Sequence, residues 1–114
     1  MIRLVVTKEN YAEDGISEIY FSFGGQFFPE EGWTDFDRVL TIWLTELDMD
    51  GSDGLLPFMD GPFQFSVQKM DEDAYLFEFW TSEDGSYARS GRYISSSTEY
   101  KDLIRHIGEY LRQL

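Results

Sequence analysis

Phe63-Gln64-Phe65-Ser66-Val67-Gln68, then Asp71-Glu72-Asp73, then Tyr75-Leu76-Phe77-Glu78-Phe79-Trp80, is the most informative stretch of this chain. In both flanking runs a large apolar side chain recurs at every second position, the period of a strand with one face on a core. The acidic triplet between them has the composition of a turn, so the two runs read as an antiparallel hairpin. On the return strand Leu76 and Trp80 flank Glu78 on the second face, which predicts partial cover there by a helix or loop.

The same period appears upstream. Ile2, Leu4 and Val6 alternate within Ile2–Lys8, giving a first strand. Beyond the polar turn Glu9–Gly15, the run Ile16–Phe23 places Ile19, Phe21 and Phe23 on one face and Glu18, Tyr20 and Ser22 on the other. These two strands should form a first hairpin. Gly24 and Gly25 end the ladder, and Phe27, Phe28 and Pro29 lead into the acidic loop Glu30-Glu31-Gly32. The period then changes: Phe36, Val39, Leu40, Trp43, Leu44 and Leu47 recur at helical spacing. With Thr34 as N-cap and Asp35 and Asp37 in the first turn, the spacing predicts a helix from Asp35 to Leu47.

Downstream of that helix, Asp48 to Gly61 reads as a loop anchored to the core by Leu55, Leu56, Phe58 and Met59. After the second hairpin, the turn Glu83-Asp84-Gly85 leads to a fifth strand within Tyr87–Ile94, interrupted by Gly91 and two arginines. Ser96 with Glu99 three residues later forms a capping box, and Tyr100, Leu103, Ile104, Ile107, Leu111 and Leu114 make the apolar stripe of a last helix. The expected class is α+β: an antiparallel sheet of about five strands with two helices, in the order β-β-α-β-β-β-α. At 114 residues the chain fits a single domain, residues 1–114.

Composition excludes several classes of function. Twenty-two acidic residues against nine basic ones give a net charge of −13, which repels nucleic acid and anionic membranes and attracts basic proteins. No run approaches the roughly 20 apolar residues of a membrane span, and the N-terminus lacks the features of a signal peptide. We therefore expect a cytoplasmic protein with no membrane partner. With 18% aromatic residues the chain has core-forming material that a disordered acidic tail lacks. The absence of cysteine removes disulfides, thiol catalysis and cysteine-ligated metals.

No motif supports catalysis, a metal or another cofactor. The lone His106 has Asp102 four residues before it and Tyr110 four after, but no nucleophile motif accompanies it. A deep polar pocket around His106 would revive an enzymatic reading. Asp48-Met49-Asp50-Gly51-Ser52-Asp53-Gly54 resembles a calcium loop in composition, yet Asp53 falls where an EF-hand needs glycine and Met59 where it needs glutamate. The carboxylate pairs Glu13-Asp14, Glu30-Glu31 and Asp71-Glu72-Asp73 lie on polar turns, a poor way to flank a scissile bond. Gly24-Gly25 lacks the lysine and the third glycine of a phosphate loop.

Charge placement is more informative. Residues 9 to 84 hold 19 acids against two bases, Arg38 and Lys69, a net of −17; the two ends together hold seven bases and three acids, a net of +4. Glu46 and Asp48 fall at the C-terminal end of the first helix, where the helix dipole disfavours each by about 0.3–1 kcal/mol. The candidate partner-binding patch is therefore Glu46, Asp48, Asp50, Asp53 and Asp60, with Glu30 and Glu31 as outer members. The same charges would also keep the protein soluble. Trp33 is either a partly exposed anchor on that face or a hydrophobic staple packed on the helix's first turn, and the staple is favoured.

The series Phe28-Pro29-Glu30-Glu31-Gly32-Trp33-Thr34-Asp35-Phe36, a helix containing Trp43, and Phe58-Met59-Asp60-Gly61-Pro62-Phe63 resembles the small acidic immunity proteins of bacterial polymorphic toxin systems over Phe28–Phe65. These are many unrelated families, so the resemblance carries over no binding residue. It implies stoichiometric inhibition of a toxin domain, which would be the basic protein partner. A non-catalytic assembly subunit, using a sheet edge or the last helix to oligomerise, is the alternative.

Overall fold

A computed structural model describes residues 1–8, 15–48 and 50–113. Strands β1 (Arg3–Thr7) and β2 (Ile16–Phe23) pair antiparallel as expected, with Leu4 opposite Phe21. Strands β3 (Gln26–Phe28) and β4 (Thr34–Phe36) both add to the free edge of β2, giving a first four-stranded sheet. After helix α1 (Val39–Leu47), strands β5 (Leu56–Pro57), β6 (Phe63–Asp71), β7 (Ala74–Glu83) and β8 (Ser86–Ser96) form a second, in that order. Helix α2 (Ser97–Gln113) ends the described chain. The class is α+β, with antiparallel strands and two helices. The five long strands and both helices follow the expected order, but they are divided between two sheets.

The two sheets face each other through the alternating aromatic positions. Phe21 of β2 lies between Phe65 and Phe79, at ring separations of 4.9 and 5.3 Å, and Phe23 stacks on Phe79 at 4.6 Å. Tilted and edge-on pairs match the positive ring edge of one residue to the negative face of the next. From α1, Trp43 enters the same cluster beside Phe58 and Phe65 and donates its Nε1–H to the Pro57 carbonyl at 2.7 Å. Leu56 and Phe58 anchor the connecting segment in the core as expected, whereas Leu55 is exposed.

The start of the first helix is a correction. Thr34 is not an N-cap and Asp35–Asp37 is not its first turn: Thr34–Phe36 is strand β4, and α1 begins at Val39. Both carboxylates are already occupied. Asp35, buried, accepts from four N–H groups, those of Phe36, Met59, Asp60 and the Trp33 indole. Asp37 accepts from the Ser17 hydroxyl and from Lys8 at 3.3 Å. Their oxygens join distant segments, and α1 starts from Arg38 with no side-chain cap. Trp33 accordingly does not staple α1; it packs edge-on against Phe63 at 5.0 Å, tied to Asp35.

At the other end the capping box forms as expected, the Glu99 N–H donating to Ser96 Oγ at 3.1 Å. Tyr100, Leu103 and Ile107 are buried. Tyr100 stacks flat on Tyr75 at 3.8 Å and its hydroxyl donates to the Leu47 carbonyl, so α2 closes the last turn of α1. Leu114, the Glu13-Asp14 pair and Met49 lie outside the described residues. Among the described residues, no helix is long and apolar enough to cross a membrane.

Candidate interaction surface

The candidate acids fall into two groups at opposite ends of α1. Asp48 is the C-cap of the helix, with Glu46 half-buried in the last turn and Asp50 and Asp53 exposed just beyond. Asp60 lies at the other end, held through its own N–H to Asp35 immediately before the helix. Nine residues at about 1.5 Å each separate these ends by roughly 13 Å. That exceeds the screening length of about 8 Å at physiological salt, so the groups act as separate sources of potential.

The group at the C-terminal end is not purely acidic. Asp50, at φ +72°, accepts from the Tyr75 hydroxyl and from Lys69 Nζ at 2.9 Å. These bonds, Tyr75 foremost, hold its carboxyl below the usual carboxylate range, while the bond to Asp50 raises the Lys69 ammonium. Lys101 and Arg105 of α2 share a groove of about 340 Å³ with Asp48 and Asp50. Buried between them, Tyr100 has its phenol pushed well above the ordinary tyrosine value. Asp50 thus ties the loop after α1 to β6 and β7 while its side chain stays exposed. Among the described residues, no cluster of three or more His, Asp or Glu side chains is placed to hold a metal.

The other group is larger than the sequence indicated. Glu30 and Glu31 are exposed in the β3–β4 connection, and the half-buried Trp33 and exposed Asp60 both donate to Oδ2 of Asp35. Beside them is the outer face of the first sheet. Glu18 approaches Gly32, with its Oε1 placed 3.5 Å from where a Cβ would stand. Partial burial first, then the carboxylates of Glu18 and Glu31, raise the Tyr20 phenol above the ordinary value. Phe27 meets Tyr20 edge-on at 6.0 Å and is 42% exposed, while Phe36, on the same face, is 40% exposed. Glu18, Glu30, Glu31 and Asp60 have no ion pair among the described residues.

Of this surface the alternation identified Glu18 and Tyr20 only as outward-facing. The addition of β3 and β4 to β2 brings Phe27, Phe36 and Glu31 to them, and no local pattern encodes that pairing.

His106 does border a groove, of about 380 Å³, between β1 and α2. Its carboxylates are engaged elsewhere: Glu99 accepts from the Ile2 N–H and the Tyr93 hydroxyl, and Asp102 pairs with Arg105 at 3.4 Å. Ile2, Leu4 and Leu103 supply much of the remaining wall. Among the described residues, no side chain hydrogen-bonds the imidazole.

Comparison with protein-family models, with curated proteins and with solved structures gave no match.

Proposed function

We propose that this chain is a cytoplasmic binding protein that acts by occlusion and not by catalysis, and specifically an immunity protein that covers the basic active-site surface of a cognate toxin domain. The observation that carries this reading is the surplus of exposed carboxylates, Glu30, Glu31, Asp48, Asp53 and Asp60 among them, that form no ion pair among the described residues. An isolated domain gains nothing in stability from such a surplus. A basic partner converts it into steering, with association rates up to about 10⁸–10⁹ M⁻¹s⁻¹ at low salt against about 10⁵–10⁶ for uncharged surfaces. Aromatic side chains on the same surface would supply the anchors that slow dissociation.

The test is co-expression with any toxin domain that the genes neighbouring this one encode. Rescue of growth together with a stoichiometric complex supports the reading; no rescue and no complex refutes it. Replacing Glu46, Asp48 and Asp53 with lysine asks whether the C-terminal group takes part, and a slower, less salt-dependent association is expected if it does. Asp50 is left out because its loss would release Lys69 and Tyr75.

One observation favours an assembly subunit instead. Among the described residues strand β8 pairs with β7 alone, and Tyr87 and Ile94 on it are exposed. However, antiparallel pairing of two copies centred between Ser90 and Gly91 would set Arg89 of each opposite Arg92 of the other, and facing like charges oppose such pairing. A concentration-independent oligomer in sedimentation would favour this second reading.

A further inference from the structure

We infer that the outer face of the first sheet, around Tyr20, Phe27 and Phe36 with Glu18 and Glu31, is the part of the surface that receives the partner, and that it takes arginine side chains of a basic protein. This rests on the proposed function and assigns it a place and a chemistry. Ile16, Glu18, Tyr20 and Ser22 alternate outward along β2, and the register sets Phe36 beside Ile16 and Phe27 beside Ser22. The result is a row of aromatic rings with carboxylates next to the central one.

A guanidinium fits such a row better than an ammonium. It is planar, stacks on a ring face while its edge meets a carboxylate, and loses less hydration on leaving water. The chain already uses this contact once on the same face, with the Arg38 guanidinium 5.4 Å from the Phe36 ring centre. Arg3, the other cation of the face, lies opposite Ser22, four residues along β2 from Glu18, or roughly 13 Å at about 3.3 Å per residue. Among the described residues neither Glu18 nor Glu31 is ion-paired, which leaves both carboxylates open to a partner.

Titration of the ¹⁵N-labelled protein with hexa-arginine and hexa-lysine peptides, at low and at physiological salt, tests this. The expected result is that the arginine peptide binds more tightly and shifts the amides of Glu18, Ser22, Phe27 and Gly32 most. Tyr20→Leu, which keeps apolar bulk without the ring, and Glu31→Gln should each weaken arginine binding about fivefold. An unchanged thermal melt for Glu31→Gln, at an exposed position, guards against a folding artefact. Equal binding of both peptides, or shifts centred on residues 46–53, would overturn the assignment while leaving a basic partner in place. Failure of both peptides to bind even at low salt would remove the basic-partner reading as well.

Discussion

Replacing Asp35 with asparagine should be the most damaging single-atom change in the candidate surface. The carboxylate is 2% exposed and receives four N–H donors: Phe36 at 2.7 Å and Met59 at 3.1 Å on Oδ1, and the Trp33 indole at 3.2 Å and Asp60 at 3.3 Å on Oδ2. Asparagine keeps one acceptor. With its oxygen on the shorter pair, its amide nitrogen would face the Trp33 and Asp60 donors. Two hydrogen bonds to a charged group are worth about 1.5–3 kcal/mol each, a gross loss of about 3–6 kcal/mol. Removing a buried charge offsets part of this, which leaves about 2–4 kcal/mol. With a urea slope of about 1.5 kcal/mol per M, the midpoint would fall by about 1.3–2.7 M. Urea melts followed by circular dichroism measure it, with Asp53→Asn as an exposed control expected within about 0.5 kcal/mol. A loss at Asp35 no larger than the control would refute the role given to this carboxylate in joining β4 to the segment before β6.

Other outcomes follow from the same structure. Ser96→Ala removes the acceptor for the Glu99 N–H and should cost about 1 kcal/mol in chemical denaturation. Glu99 has its carboxyl held below the ordinary 4.5, its burial outweighed by bonds from Tyr93, Ile2 and Ser96. Its contribution is therefore complete above pH 4.5 and lost as pH falls through the folded value, so Glu99→Gln should flatten the acid limb of stability against pH. Tyr100, raised by burial, acts in the opposite range: its contribution is complete below pH 10 and lost above it. Phenolate absorbance of the wild type should rise together with unfolding on the alkaline side, and Tyr100→Phe should remove part of that dependence. Gly51→Ala places a Cβ 2.9 Å from the Val67 carbonyl oxygen at φ +120°, and should lower the melting temperature more than the same change at Gly54, which meets nothing within 4 Å.

The sequence by itself determined the class of fold and the positions of most core residues. Phe65, Val67, Phe77 and Phe79 alternate because a half-buried strand must, and the Leu103–Ile107 spacing follows from a helix lying on a core. It also determined that the chain carries far more acid than its own bases can pair. What only the tertiary structure decided lies where one side chain serves distant segments. Thr34-Asp35-Phe36-Asp37 has the local form of a helix start, yet donors from Met59 and Asp60 and from Ser17 and Lys8 claim its carboxylates and the segment becomes an edge strand. Asp50 looked like a free surface acid until Lys69 and Tyr75, 19 and 25 residues away, folded onto it. The aromatic and acidic face around Tyr20 arises in the same way, from strands that add to β2 out of separate stretches of chain. Period and composition report how a segment meets an average core or solvent; they do not report which particular donors and rings the folded chain brings to it.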